Sequence, residues 1–320
     1  MLNLWARLDR YLESFDSVHG EQLERLFMDL YWHLYKLTGF VADLRPIHKL
    51  ILTLFRHAVL VGTFVWHIIL FMFTIPLIAE ESLLIRNVHF LMFIAFSLTL
   101  FVWFTSKRKR IINTHRLIAE GFHLYGAEGE IITARLVKNF RRTYIVSLSI
   151  PTVAICSSAF FMFFASTIDE LTGSPPRTDP ENGVDISLPV KFWYPWDIKK
   201  WYYFQLIHEL MLAAYVGIII STSDLIYVNI TYNICLQLQL LLETLGNLEK
   251  RAYKEFHELY PDQCPVKKYK DPKFLNCYES CLKQNVLHHQ FIHRLFIEAI
   301  PLATIPIFFA FVMEAIALGI

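Results

Sequence analysis

The sequence predicts an all-α fold, a polytopic bundle of membrane helices. Apolar residues make up 55% of the chain and charged residues only 18%, whereas soluble domains are about 45–50% apolar and about 25% charged. The apolar residues also lie in blocks, and a helix needs about 20 of them in succession to cross a bilayer. Five spans are predicted, near residues 58–79, 87–105, 144–167, 202–224 and 295–320. We therefore expect a single membrane domain over residues 1–320.

The segment before the first span, residues 1–46, carries leucines at helical spacing. This pattern is typical of an amphipathic helix that lies against a bundle or on the membrane surface. Gly39 and Pro46 bracket the expected end of the helix. The segment is therefore predicted to be a peripheral part of the membrane domain.

Two polar segments separate the later spans. Residues 106–143 begin with a basic cluster at 106–110, which ends the second span, and are periodic enough for helices that extend beyond the bilayer. In residues 225–294 the fourth helix is expected to continue as far as about Leu245. Residues 246–285 are charged and contain three prolines, so we predict a loop there. The fifth helix is expected to start near Phe274 or Leu282 and to enter the bilayer near Leu295.

The distribution of lysine and arginine predicts the orientation in the membrane. Seven precede the first span, one lies between the first and second spans, and nine lie between the second and third. Four lie in the loop 168–201 and eight in residues 246–285. Because these residues are enriched in cytoplasmic segments, the N-terminus and the segments 106–143 and 225–294 are predicted to be cytoplasmic. The loop 168–201 is then extracellular, which disfavours a receptor coupled to G proteins, since that class has the opposite orientation.

The outer loop holds an aromatic motif directly before the fourth span. Its residues are Phe192, Trp193, Tyr194, Pro195, Trp196 and Asp197. Proline excludes a continuous helix through this part of the chain. Tryptophan and tyrosine are enriched where a membrane meets water, because their rings combine an apolar body with a polar group. The motif therefore predicts a structured loop at the outer interface.

The outer ends of the second, third and fourth spans suggest a ligand cavity. The candidate lining residues are His89, Met92, Phe93, Phe96, Ser157, Phe160, Phe161, Phe164, Tyr203, His208, Met211, Leu212 and Tyr215. An aromatic and methionine-rich surface with a few polar groups suits a small, largely apolar ligand held by dispersion and one or two hydrogen bonds. Ordinary helix packing or lipid contact is the alternative for each residue.

Ionisable residues within the predicted spans include His208, Glu209 and Glu314. Burying such groups is costly, so they point to a function by default. Two interpretations stay open: the groups line a ligand cavity or an ion path, or their side chains snorkel to the interface or face a water-filled vestibule. The sequence does not separate the two.

An enzyme is the less favoured alternative. His288, His289 and His293 resemble one part of the histidine boxes of membrane di-iron desaturases, but two metal ions require several such boxes. Cys277 and Cys281 do not form a Cys-x-x-Cys pair, so no zinc site is predicted. No metal, cofactor, catalytic residue or nucleic-acid partner is expected.

The outer-loop motif, the cytoplasmic N-terminus and the long fourth helix together resemble the insect odorant receptor family. The histidines at the entry to the fifth helix also fit, and the resemblance extends over essentially the whole chain. The modest segment between the fourth and fifth spans is similar to that of a tuning subunit. A gustatory receptor is the alternative, because gustatory receptors share the fold. The motif that distinguishes them lies in the last of the family's seven helices, so only the outer loop separates the two families here.

The resemblance implies a subunit of an odorant-gated cation channel. A tuning subunit of this family binds small volatile molecules and assembles with an obligate co-receptor as a heterotetramer. It implies a place in the cell membrane of olfactory neuron dendrites, in contact with lipid. The family has seven spans, with helices two, three, four and six around the ligand and helix seven lining the pore. Five spans are predicted here, so we expect a truncated product that does not conduct by itself.

Overall fold

A computed structural model describes residues 38, 40, 47–77, 81–122, 125–126, 129–136, 153, 157, 172–173, 183–184, 187–261, 263 and 270–319. The named elements are α1 (Ile47–Thr74), a 3-10 turn (Ile75–Leu77), α2 (Glu81–Ser106), α3 (Arg108–Glu120), α4 (Ile198–Gly246), α5 (Leu248–Leu259) and α6 (Pro272–Gly319). Over these residues the only β feature is an isolated bridge between Val184 and Trp193. The predicted all-α fold is confirmed.

Four helices in the described part are long and apolar enough to cross a membrane. The candidate membrane-spanning segments are His57–Leu77, Asn87–Ser106, Ile198–Gly246 and Pro272–Val312. The chain is thus a multi-pass helical membrane protein. Since about 20 residues cross a bilayer, the 49 residues of α4 extend well beyond one. The predicted third span, 144–167, lies outside the described residues apart from Val153 and Ser157, as does segment 1–46 apart from Thr38 and Phe40.

The prediction of a loop is wrong for the residues that form α5, whereas α6 begins at Pro272, two residues before the expected start near Phe274. Proline lacks a backbone N–H, and the first position of a helix is where none is needed. Pro272 takes that position in α6, and the Asp271 carboxylate accepts a hydrogen bond from the Lys273 N–H at 2.9 Å. The proline therefore begins a helix here, with Asp271 acting as its N-terminal cap.

The helix α5 forms because one of its faces is apolar. Leu248, Ala252 and Phe256 are buried at intervals of four residues, which places them on the same side of a helix. They pack against Phe274 and Cys277 of α6. This local packing stabilises α5 where composition alone indicated a loop.

The chain forms two compact units, and each has its own core. The first comprises the described parts of Met1–Lys109, Ser149–Ile226 and Leu302–Ile320. Its core combines side chains of α1, of residues 188–194 and of the start of α4. At the other end of α2, the Trp103 Nε1–H donates a hydrogen bond to the Leu302 carbonyl at 3.1 Å.

The second unit comprises the described parts of Arg110–Leu148 and Tyr227–Pro301. One cluster of its core holds Tyr125, Ile132 and Leu136 against Leu236 and Leu240, and the α5–α6 contact forms another. Ion pairs join Arg110 to Glu298 and Arg135 to Glu243. The residues of this unit largely overlap the segments 106–143 and 225–294, which the count of lysine and arginine predicts to be cytoplasmic.

Candidate functional site

A groove of about 290 Å³ lies between α1 and α4 in the first unit. It is lined by Val59, Leu60, Thr63, His208, Met211, Leu212 and Tyr215. Four of these side chains are wholly apolar, and the other three each carry a polar group. Its lining is therefore typical of a site for a small organic molecule, in which a few polar groups orient a mostly apolar ligand.

Two histidine rings lie against each other at this groove. His208 stacks on His67 with ring centroids 5.3 Å apart and an interplanar angle of 17°. The His67 Nδ1 lies 2.8 Å from the Thr63 carbonyl oxygen, which can only accept, so this nitrogen carries the proton. Among the described residues, His67 Nε2 and His208 Nδ1 are buried without a hydrogen-bond partner. Unpaired buried polar atoms are rare in folded proteins and call for a physical explanation.

Beside the groove, Glu209 fixes the segment that carries the aromatic motif. Its carboxylate is only 2% exposed. It accepts hydrogen bonds from the Val190 N–H at 3.2 Å, from the Tyr194 hydroxyl and, at 3.4 Å, from the Gln205 amide. Hydrogen bonds to a charged acceptor are stronger than those between neutral groups. Glu209 therefore serves as an anchor for residues 190–194.

Two further helices hold the same segment. The Trp193 N–H donates to the Thr74 hydroxyl oxygen at 2.9 Å, and Thr74 donates in turn to the Leu70 carbonyl at 2.7 Å. The Asn87 side-chain amide donates to the Lys191 carbonyl at 2.7 Å. Residues 190–194 are thus bound by polar side chains of α1, α2 and α4.

Aromatic contacts connect the motif to the histidine pair. Phe192 is fully buried, and its ring centroid lies 6.2 Å from that of His67 and 6.1 Å from that of Phe90. Trp196 stacks on Trp66 of α1 at 5.9 Å. Because His67 contacts both Phe192 and His208, one ring joins the motif to the groove.

The structure brings four of the predicted lining residues together, namely His208, Met211, Leu212 and Tyr215. Tyr203 of α4 is 59% exposed and does not line the groove. The predicted residues of α2, His89, Met92, Phe93 and Phe96, also lie away from its lining. Ser157 is half-buried, and Phe160, Phe161 and Phe164 lie outside the described residues.

The aromatic motif divides into buried and exposed positions. Phe192 and Tyr194 are buried, Trp193 and Trp196 are half-buried, and Pro195 and Asp197 are exposed. The Asp197 carboxylate accepts a hydrogen bond from the Lys199 N–H at 3.0 Å and caps the start of α4. The motif therefore both packs a core and begins the helix that lines the groove.

The contribution of α1 to the groove is absent from the predicted site. Val59, Thr63 and His67 recur every four residues, which places them on one helix face. Two polar residues at that spacing within an apolar span are the signal that could have identified this face. Thr74 and Asn87 could not be found in this way, because their partners are backbone groups more than a hundred residues away.

The second unit contains a separate polar cluster around His288. Its Nε2–H donates to the Gln237 side-chain oxygen at 2.8 Å, so its Nδ1 accepts from the Tyr125 hydroxyl at 3.0 Å. Arg251 lies over the Tyr125 ring at 4.6 Å. Burial raises the pKa of the Tyr125 hydroxyl, while a hydrogen bond with Thr244 and the charge of Arg251 oppose that rise.

The three histidines of the apparent histidine box therefore separate in the fold. His288 is buried with both ring nitrogens engaged, whereas His289 and His293 are exposed. No group of three or more His, Cys, Asp or Glu side chains in the described part of the chain is placed to hold a metal ion.

Comparison with known proteins gives one family. Residues 81–320 match the family model described as 7tm Odorant receptor. No curated protein matches the chain. The matched range begins with α2 and includes the motif and the α4 side of the groove, while the α1 side precedes it.

Proposed function

The chain belongs to the odorant receptor family, since the match extends over three quarters of its length, and from this we propose that it is the odorant-binding, tuning subunit of a heteromeric odorant-gated cation channel. In this proposal it assembles with a co-receptor as a heterotetramer in the dendritic membrane of olfactory neurons. Its ligands are small volatile molecules, and the groove between α1 and α4 is where they bind.

The observation that carries the proposal is the chemistry of the groove. A volume of about 290 Å³ is just below the roughly 300–1,000 Å³ range of ligand pockets, which suits a small molecule. Val59, Leu60, Met211 and Leu212 offer apolar surface, and each buried methylene of a ligand contributes about 0.8 kcal/mol. His208 is the polar group by which the site would orient its ligand.

The anchored segment supports a role in signalling as well as in binding. Residues 190–194 are bound by α1, α2 and α4, and Phe192 contacts the histidine pair at the groove. A ligand that displaces the His208 ring would alter a contact that reaches this segment through His67. The predicted residues of α2 and of the third span stay as candidates for further ligand contacts.

The test is cation current in cells that express the co-receptor together with a receptor containing this chain. We expect current in response to some members of a panel of small volatile compounds. Met211→Trp should block it, because Met211 lines the groove and is exposed enough for a larger side chain to be accommodated while filling the volume. Surface labelling must show equal expression.

Ile207→Trp is the matched control. Ile207 lies on the same helix, is 59% exposed and does not line the groove. Its variant should respond like the unmodified receptor. Equal responses of both tryptophan variants would place the ligand elsewhere, and a lack of current to every compound despite surface expression would contradict the channel proposal.

A further inference from the structure

We propose that the ligand of the groove carries an oxygen acceptor, such as a ketone or ester carbonyl, and that the Nε2–H of His208 donates a hydrogen bond to it. This inference rests on the proposed function and narrows it to a chemical class. The observations that support it are the surroundings of the two His208 ring nitrogens and the hydrogen bonds of the neighbouring polar side chains.

The first step is the position of the proton on His208. Of its two ring nitrogens, only Nδ1 is both buried and without a partner among the described residues. A neutral imidazole carries one proton, on either nitrogen. On Nδ1 that proton would form a buried N–H with no acceptor, an arrangement that folded proteins rarely contain. The proton therefore belongs on Nε2, which makes Nε2–H a donor.

The second step is that the ring stays neutral. His208 stacks on His67, whose ring is fully buried and already donates its Nδ1–H to the Thr63 carbonyl. The other neighbours at the groove are mainly apolar side chains. Such surroundings disfavour a charged ring. His208 therefore offers one donor, and its Nδ1 is turned into the protein.

The third step is that the other polar groups of the groove use their protons within the protein. The Thr63 hydroxyl donates to the Val59 carbonyl at 2.9 Å, and the Tyr215 hydroxyl donates to the Thr38 carbonyl at 3.5 Å. Among the described lining residues, an incoming molecule thus meets one donor, that of His208, in a mostly apolar wall. The complementary ligand is a small aliphatic molecule with one oxygen acceptor.

The experiment compares two probes of matched shape on the full chain in lipid nanodiscs. One is methyl pentyl ketone, and the other is the hydrocarbon in which a methylene group replaces the carbonyl oxygen. Binding is measured by saturation-transfer NMR for the unmodified chain, for His208→Phe and for His208→Gln. Comparing the ratio of the two affinities between variants cancels the different partitioning of the probes into lipid.

We expect His208→Phe to lower the ketone-to-hydrocarbon affinity ratio by about fivefold, the effect of one net hydrogen bond. Phenylalanine keeps an aromatic ring for the stack on His67 but has no donor. His208→Gln retains an N–H donor and should recover part of the preference. An unchanged ratio in His208→Phe would overturn the inference while leaving the groove as the binding site.

A second measurement does not depend on a variant that folds. In the unmodified chain with nitrogen-labelled histidine, the ketone should shift the Nε2–H resonance of one histidine and the hydrocarbon should not. A proton found on Nδ1 of His208, or equal shifts with both probes, would contradict the inference. If neither probe binds at all, the groove is rejected as an odorant site, and the inference is rejected with it.

Discussion

Removal of the Glu209 carboxylate is expected to free the aromatic motif from the helices beneath it. Glu209→Ala leaves the Val190 N–H and the Tyr194 hydroxyl without this acceptor in a buried place. A buried donor left unsatisfied costs about 1–3 kcal/mol, so the two together should cost about 2–6 kcal/mol. The contacts of Thr74 and Asn87 remain, and we therefore expect the segment to open locally while the rest of the unit stays folded.

Amide hydrogen exchange is the assay, because it reports local opening. A loss of about 3 kcal/mol corresponds to roughly a hundredfold faster exchange, since 1.4 kcal/mol is a factor of ten. The amide of Val190, which donates to Glu209 of α4, and that of Trp193, which donates to Thr74 of α1, should show this acceleration. Amides in the middle of α2 should keep their protection.

The conservative variant Glu209→Gln sharpens this prediction. Glutamine keeps one acceptor oxygen but loses the charge, so the protection of Val190 should fall by less than in Glu209→Ala. Glu258→Ala is the matched control, because Glu258 is an exposed glutamate in the second unit. Unchanged exchange of residues 190–194 in Glu209→Ala would refute the reasoning that this carboxylate holds the segment.

Three other outcomes are expected. Phe256→Ala should destabilise the α5–α6 contact by about 3–5 kcal/mol, because it empties a fully buried aromatic position. Circular dichroism on heating measures this loss of stability. The control Lys254→Ala, at an exposed position of α5, should show no loss. Asn87→Ala should lower the free energy of local opening by about 1–3 kcal/mol, because the Lys191 carbonyl loses its donor. Amide exchange over residues 190–194 should then be faster. Exchange equal to that of the unmodified chain would exclude this hydrogen bond as an anchor. Burial lowers the pKa of His115 from 6.5 to about 4, so the unfolded chain binds more protons than the folded chain between these pH values. The contribution of His115 to the free energy of unfolding should be complete above pH 6.5 and fall by about 3 kcal/mol towards pH 4. Thermal melts of His115→Gln should show a smaller fall over the same pH range.

Much of the fold follows from local pattern. An apolar block of about 20 residues specifies a helix that can cross a membrane wherever it occurs, because an unpaired backbone group is costly in lipid. The predicted spans 58–79 and 87–105 accordingly lie close to the segments His57–Leu77 and Asn87–Ser106. Pattern was misleading for residues 248–259, where a charged stretch predicted to be a loop forms α5 because one of its faces is apolar.

The candidate site also has one part that local sequence pattern predicts and one part that it does not. The α4 side of the groove could be predicted, since His208, Met211, Leu212 and Tyr215 lie within two turns of one apolar helix. Its α1 side could not, because nothing in a periodic pattern states which face of one helix meets which face of another. The apparent histidine box illustrates the limit as well, since burial separates His288 from its exposed neighbours.

The sequence by itself determined the membrane class, the approximate bounds of the first two predicted spans, the distribution of charge and the aromatic motif that resembles the family. Each of these depends on residues close together along the chain. The tertiary structure alone decided that His67 stacks on His208, that Glu209 holds residues 190–194, and that Thr74 and Asn87 bind the same segment. These contacts join residues as much as 141 positions apart, and the packing of whole helices, rather than local propensity, brings such residues together.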